Sequence, residues 1–213
     1  MTKRWPMLAA LVFAALFVAG QLVVPAAPGL HASGAELVRY YAAHGDGIRL
    51  AAWLTTLAGA PFVLLVAWLR ARVNGIGRDV LLLGAAGIAS QTVIWTWLPA
   101  GLALHADSLD PNVARAIADV AAYYGPLLTL SVILLAAPVG LAAWQRTPPR
   151  FPRWLAWLTA VLVVEQAIET VTVFGKSGFI APGGAMNFVL GAPLFVVWVI
   201  AAAATRPDER SAP

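Results

Sequence analysis

Six apolar runs, each close to the length that crosses a lipid bilayer, constrain this chain more than any other feature. They cover residues 7–24, 48–69, 80–98, 120–143, 154–174 and 187–204. A hydrocarbon core about 30 Å thick takes about 20 apolar residues wound as an α-helix. Within it each backbone N–H and C=O must be paired inside the structure, which leaves helices and closed barrels, and runs of this length favour helices. The predicted fold is all-α: a polytopic membrane helix bundle of about six transmembrane helices plus a short outer amphipathic helix. It forms a single domain over residues 1–213. Charged residues are 11% of the chain, against about 25% in soluble domains. That shortage argues against an ordinary soluble enzyme and against a nucleic-acid-binding module.

The net charge of +4 acquires meaning once the cations are located. Lys3, Arg4, Arg70, Arg72, Arg78, Arg146, Arg150, Arg153, Arg206 and Arg210 fall on one side of the predicted spans. Arg39, Arg49, Arg115 and Lys176 fall on the other, with Glu36, Asp46, Asp107 and Asp110. Because Lys and Arg accumulate in cytoplasmic loops, this predicts a multi-pass cell-membrane protein with both termini in the cytoplasm. The first run, with its basic start and Val24-Pro25-Ala26, also has the outline of a secretory signal. Read as an uncleaved anchor, it gives the even number of spans that agrees with the basic C-terminal tail. Cleavage, the open alternative, would leave five. With no cysteine, disulfides, thiolate metal sites, thiol nucleophiles and cysteine-linked lipid anchors are all excluded.

The outer connections carry helix signals of their own. Ser33-Gly34-Ala35-Glu36 is a capping box, in which the Ser side chain and the Glu carboxylate each satisfy a free backbone N–H. It predicts a short amphipathic helix over 37–44, with Tyr40 and Tyr41 at the membrane surface and Gly45 as its stop. Asp110-Pro111 is a second start, an N-cap Asp followed by Pro at the first helical position. The predicted fourth helix runs unbroken from Pro111 to about Trp144 and enters the membrane near Asp119, with a kink at Pro126. Residues 179–186, with Pro182-Gly183-Gly184, read as a turn-rich loop.

Glu165 and Glu169 stand out against this background. An ionisable side chain at the centre of a membrane helix costs roughly 2.5–3.5 kcal/mol on insertion scales, and the fifth run carries two such residues. With Thr172 and Lys176 they follow helical spacing along one stripe, which Trp157 extends toward the other end. Gln91 and Trp95 share a face of the third helix, and Arg115, Asp119 and Tyr123 share a face of the fourth. The candidate catalytic residues are Glu165 and Glu169, and the candidate substrate-binding residues are Gln91, Trp95, Tyr123, Trp157 and Thr172. Plainer readings compete. Arg115 and Asp119 form a surface pair, most of the Trp anchor span ends, and Gln91, Thr55 and Thr56 bond between helices. His31, His44 and His105 match no zinc spacing, so no metal site is expected.

The Ala35-Glu36-Leu37-Val38-Arg39-Tyr40-Tyr41 segment, His44 and Arg49 come ahead of the second run. Phe151-Pro152-Arg153-Trp154 opens the fifth, and Phe174-Gly175-Lys176-Ser177-Gly178-Phe179 follows it. With these marks the chain resembles a group of small multi-pass membrane proteins frequent in actinobacterial genomes, largely of unassigned function. In size and span count it is also similar to bacterial integral-membrane terpene cyclases, which close prenylated substrates such as prenyl-indoles. That second resemblance implies protonation-initiated cyclisation of a lipophilic prenylated substrate in an aromatic-lined pocket.

The residues suit this chemistry. Two carboxyls a turn apart in apolar surroundings do not both ionise, so the pair holds at least one proton at neutral pH. A protonated acid in a dry site can act as general acid toward an alkene or epoxide. The cation formed is stabilised by aromatic faces, at roughly 0.5–2 kcal/mol each, and Trp95, Trp97, Tyr123, Tyr124 and Trp157 are candidates. Glu165 is the expected acid, with Glu169 or Gln91 holding its proton. No cofactor is expected. The partners are the lipid bilayer and a lipophilic small molecule, with no nucleic acid, and a homo-oligomer stays open. A proton-coupled small carrier and a non-catalytic membrane subunit are the alternatives, since intramembrane Glu also builds proton relays.

Overall fold

The computed structural model describes residues 4–145 and 151–205. Lys3, Arg146, Arg150, Arg206 and Arg210, counted above, lie outside the described residues, as do the side chains of Tyr124 and Pro126. The helices are α1 (Trp5–Leu22), α2 (Gly34–Arg70), α3 (Gly77–Leu104), α4 (Pro111–Ala122), α5 (Tyr124–Trp144), α6 (Arg153–Glu169) and α7 (Ala192–Ala204). Thr170–Phe174 continues α6 as a 3₁₀ turn, and Met186–Gly191 leads into α7 as a π-helical turn. Among the described residues, five stretches are long and apolar enough to cross a membrane: Trp5–Leu22, Gly34–Arg70, Gly77–Leu104, Arg153–Phe174 and Met186–Ala204. Leu128–Trp144, within α5, is a shorter apolar helix. The described residues thus hold five such stretches where about six were predicted, and the predicted fourth span, 120–143, corresponds in its later part to the shorter Leu128–Trp144. The outer surface is apolar, with Leu8, Val63, Leu83, Leu130 and Val161 all more than half exposed, the reverse of what water selects.

Two predicted boundaries are corrected. The short outer helix is not separate, because α2 is one rod of 37 residues from its capping box to Arg70. At about 1.5 Å per residue it is about 55 Å long, well beyond a 30 Å core. Gly45 and Gly47 do not stop it. Their missing side chains let other segments approach: a methyl at 47 would fall 2.6 Å from the Val24 side chain at Cγ1, and one at 45 would fall 3.3 Å from the Ala103 carbonyl. The fourth helix, by contrast, is not continuous. It breaks at Tyr123, dividing α4 from α5. Proline at 126 has no N–H to give to the carbonyl four residues back, that of Ala122, and the helix ends there.

The capping box forms as read. Ser33 N–H donates to Glu36 Oε2 at 2.6 Å, and Glu36 N–H donates to Ser33 Oγ at 3.3 Å. Those bonds from Ser33 hold the Glu36 carboxyl below its ordinary value of 4.5. Above the cap, Leu37, Tyr41 and Ile48 of α2 pack against Leu102, Ala106 and Ala114. Arg115 pairs with Asp119 at 2.5 Å, as its spacing predicts, and also donates to the Ala32 carbonyl at 3.1 Å. It thereby fastens the α1–α2 connection to α4.

Neighbouring helices run antiparallel: Gly20 of α1 meets Thr55 of α2, and Trp198 Nε1 of α7 donates to Thr159 Oγ1 of α6 at 2.8 Å. The alternation gathers Arg4, Arg70, Arg72, Arg78 and Arg153 at one end, here called the arginine end, opposite the 23–33, 105–110 and 175–185 connections. Arg72 is buried there. Its guanidinium lies 4.5 Å from the Trp68 ring centre and 4.1 Å from that of Phe151, and donates to Thr205 Oγ1 at 2.9 Å. One planar cation therefore joins the C-terminal ends of α2 and α7 to the start of α6. Lysine keeps the charge but loses the plane that stacks on both rings. Arg72→Lys is expected to destabilise the bundle by about 1–2 kcal/mol, lowering the thermal unfolding midpoint in detergent, and an unchanged midpoint would show that the sandwich contributes nothing.

Candidate functional site

The last turn of α6 reads Glu165-Gln166-Ala167-Ile168-Glu169, which gives one helix end three long polar side chains. Gln166 and Glu169 are both 4% exposed, and Glu165 is half-buried. Gln166 Nε2 donates to Glu169 Oε2 at 2.7 Å and to Glu165 Oε2 at 2.9 Å. A single amide nitrogen thus bridges the two carboxyls. The other oxygen of Glu169, Oε1, accepts from Asn187 Nδ2. Asn187 Oδ1 in turn accepts from the Gly183 N–H at 3.0 Å. Glu169 is therefore held at both oxygens by side-chain amides, and one of those amides is itself fixed by backbone.

Irregular backbone makes this arrangement. The α-helix gives way to a 3₁₀ turn directly after Glu169, so the regular spacing of the predicted stripe ends there. Thr172 is fully buried and Lys176 is exposed. Across from it, Asn187 sits in the π-helical turn, a rare backbone form that is frequent at functional sites. Pro193 cannot donate to the carbonyl of Val189, and the turn before it is wound wide. Gly191 completes the wall: a methyl there would overlap Glu169 Oε2, and one at Gly125 would fall 2.7 Å from Asn187 Nδ2.

This cluster faces a cavity of about 320 Å³ lined from α1, α2, α3, α5, α6, α7, the end of α4 and the π turn. Its walls are mainly apolar, with Phe13, Phe17, Phe62, Trp95, Phe188 and Phe195 among them. The Phe13 ring centre lies 5.4 Å from that of Phe62 and 6.3 Å from that of Phe195, forming an aromatic floor. Glu169, Gln166 and Asn187 form one polar wall above it. Of the residues nominated from sequence, Glu169 and Trp95 line the cavity, and Glu165, Gln91, Tyr123, Trp157 and Thr172 are not among its lining residues. Trp157 is 64% exposed on the outside of the bundle, its ring edge-on to Trp144 at 5.5 Å. Tyr123 is exposed at the helix break.

Sequence reasoning missed Gln166, Asn187 and the phenylalanine floor. Gln166 could have been found from its position between two glutamates. Asn187 gives no such signal, since it is one polar residue at a predicted span start. A cavity with one fixed carboxyl and aromatic walls can hold an apolar molecule and pass a proton to it. Comparison of the chain with known protein families, curated proteins and solved structures finds no match.

The glycine at 191 offers a direct probe. The atom that a new methyl would strike is the far end of a flexible side chain, so Gly191→Ala should move the Glu169 carboxyl at little cost to folding. Labelling of Glu169 by a lipophilic carbodiimide, read by peptide mass, should rise several-fold while the unfolding midpoint stays near wild type. Unchanged labelling would mean that the carboxyl has not moved.

Proposed function

We propose that this chain is a membrane-embedded enzyme of the terpene-cyclase type, acting on a lipophilic prenylated substrate with Glu169 as general acid. The observation that carries this reading is the Glu169 carboxyl on the wall of an aromatic-lined cavity. In the proposed reaction Glu169 gives its proton to an alkene carbon or an epoxide oxygen of the substrate. The cation so formed is attacked by a second double bond, and a ring closes. Loss of a proton from the carbon next to the final cation, back to the carboxylate, ends the cycle. The sum is an isomerisation that consumes no oxidant or reductant. The faces of Phe13, Phe62, Trp95 and Phe195 would stabilise the cation at roughly 0.5–2 kcal/mol each without quenching it.

The acid assigned here is Glu169, where sequence reasoning favoured Glu165. Glu165 lies behind it and reaches it through the Gln166 amide, a position from which it tunes the proton held by its neighbour. General acid catalysis contributes about 10²–10⁴-fold, so Glu169→Gln should lower turnover by that order while the protein level in membranes stays constant. Glu165→Gln should lower it less. The assay is conversion of prenylated substrates by membranes, with products read by mass, and full turnover by Glu169→Gln would remove the general-acid role. The amide bridge between two carboxyls also suits a proton-coupled carrier. Absence of turnover by the wild type, with proton-dependent uptake into proteoliposomes, would favour that second reading.

We also read the arginine end as cytoplasmic, with six spans in all. Reporter fusions at Arg78 should report cytoplasm, and fusions at Gly45, Ser108 and Gly183 the outside. A cytoplasmic signal at Gly183 would overturn this topology.

A further inference from the structure

The cavity has a second polar pole, on the wall that α1 and α2 build. Phe13, Phe17 and Gln21 are spaced four apart on α1 and line it together, and Thr55 and Phe62 do so on α2. Thr55 is 4% exposed. Its hydroxyl and Gln21 Nε2 are both buried without a hydrogen-bond partner. That is unusual for a threonine in an apolar helix, where the hydroxyl ordinarily turns back to the carbonyl four residues earlier. Three other threonines around this cavity do so: Thr56 to Ala52, Thr92 to Ile88 and Thr96 to Thr92. Thr55 does not, although the Ala51 carbonyl is its natural acceptor. Gly20 faces it, and a methyl there would fall 2.7 Å from Thr55 Oγ1. The α1 backbone therefore leaves room for this hydroxyl without bonding it.

Leaving a buried donor unsatisfied costs more than a hydrogen bond gains, and here two side chains bear that cost on one wall of one cavity. We infer that Gln21 and Thr55 bind a hydrogen-bond-accepting oxygen of the ligand, which makes the ligand an oxygen-bearing lipophile and not a plain hydrocarbon. Its apolar body rests on the Phe13–Phe62–Phe195 floor. Its oxygen meets the Gln21 amide and the Thr55 hydroxyl across the cavity from Glu169. This rests on the reading of the cavity as a lipophile site, and makes Gln21 and Thr55 specificity-determining residues that do no chemistry.

The test is equilibrium binding to the full chain in nanodiscs, against empty nanodiscs. The probes are tritiated farnesyl methyl ether, which offers an acceptor and no donor, and the hydrocarbon in which hydrogen replaces its methoxy group. The wild type should bind the ether about tenfold tighter, the size of one or two net hydrogen bonds. The Gln21→Leu/Thr55→Val double variant should bind the two probes alike, with its affinity for the hydrocarbon undiminished. A wild type with no preference, or a double variant that keeps it, would overturn the inference while leaving the lipophile site intact. Binding of neither probe above empty nanodiscs would overturn both. A preference as expected, without turnover of any prenylated substrate, would sink the cyclisation chemistry alone. Thr55→Val by itself guards against misfolding, since it swaps an unpartnered hydroxyl for a methyl of equal size. Its unfolding midpoint should equal or exceed that of the wild type. A fall would mean that the hydroxyl is structurally bonded, and would overturn the inference.

Discussion

A polar group buried in this bundle has little but the protein to bond with, and most of the structure follows from that constraint. Inside an apolar bundle with few charges, no solvent shell is at hand for a stray donor. Most of the helix-borne hydroxyls obey by bonding their own backbone, as Thr56, Ser90, Thr92 and Thr159 do. Arg72 obeys by stacking between Trp68 and Phe151 and donating to Thr205. Glu169 obeys through two amides from different elements. The last two solutions tie separate elements together, Arg72 to Phe151 and Thr205 and Glu169 to Asn187. The polar residues are few, and they act as the fasteners of an otherwise slippery apolar assembly.

The same constraint explains how much could be read in advance. Helix identity and the clustering of charge at helix ends follow from composition and run length, which depend little on tertiary contact. The capping box at Ser33 and the start at Asp110 were legible for the same reason, because a cap is a local arrangement of a few residues. What failed was continuity. Gly45 looks like a stop when read alone, and becomes a packing surface once Ala103 lies against it. The interruption at Tyr123 was misjudged as a bend, because sequence gives the position of a proline and not the size of its effect.

Of the residues nominated by chemistry and depth, Glu169 and Trp95 line the cavity, but the nomination grouped residues by helical stripe. A stripe assumes that one helix geometry persists. When α6 tightens after Glu169, residues 172 and 176 lose the angular positions a regular α-helix would give them, and the spacing rule loses its force. Trp157 shows the complementary error: it shares the stripe but faces outward, since periodicity alone does not say which side of a helix meets the bundle. The floor of Phe13, Phe62 and Phe195 comes from three helices far apart in sequence, and no local pattern could have assembled it.

Three departures from regular helix meet at this one cavity: the break at Tyr123, the 3₁₀ turn after Glu169 and the π turn holding Asn187. Regular helices would pack side by side and close such a space, since ridges settle into grooves along their full length. Each departure loosens or displaces backbone hydrogen bonds in apolar surroundings, where these are most costly to lose. A protein selected only for a stable bundle would have little reason to keep all three together, with Gly125 and Gly191 beside them in place of helix-favouring residues. Their convergence on one carboxyl argues that the space itself is what the fold preserves. The two unpartnered polar atoms on the opposite wall carry the argument one step further, because an empty cavity is best left apolar. On the proposed reading, a cavity with a fixed acid on one side and unpaired donors on the other suits an occupant that is apolar along its length and polar at a defined point.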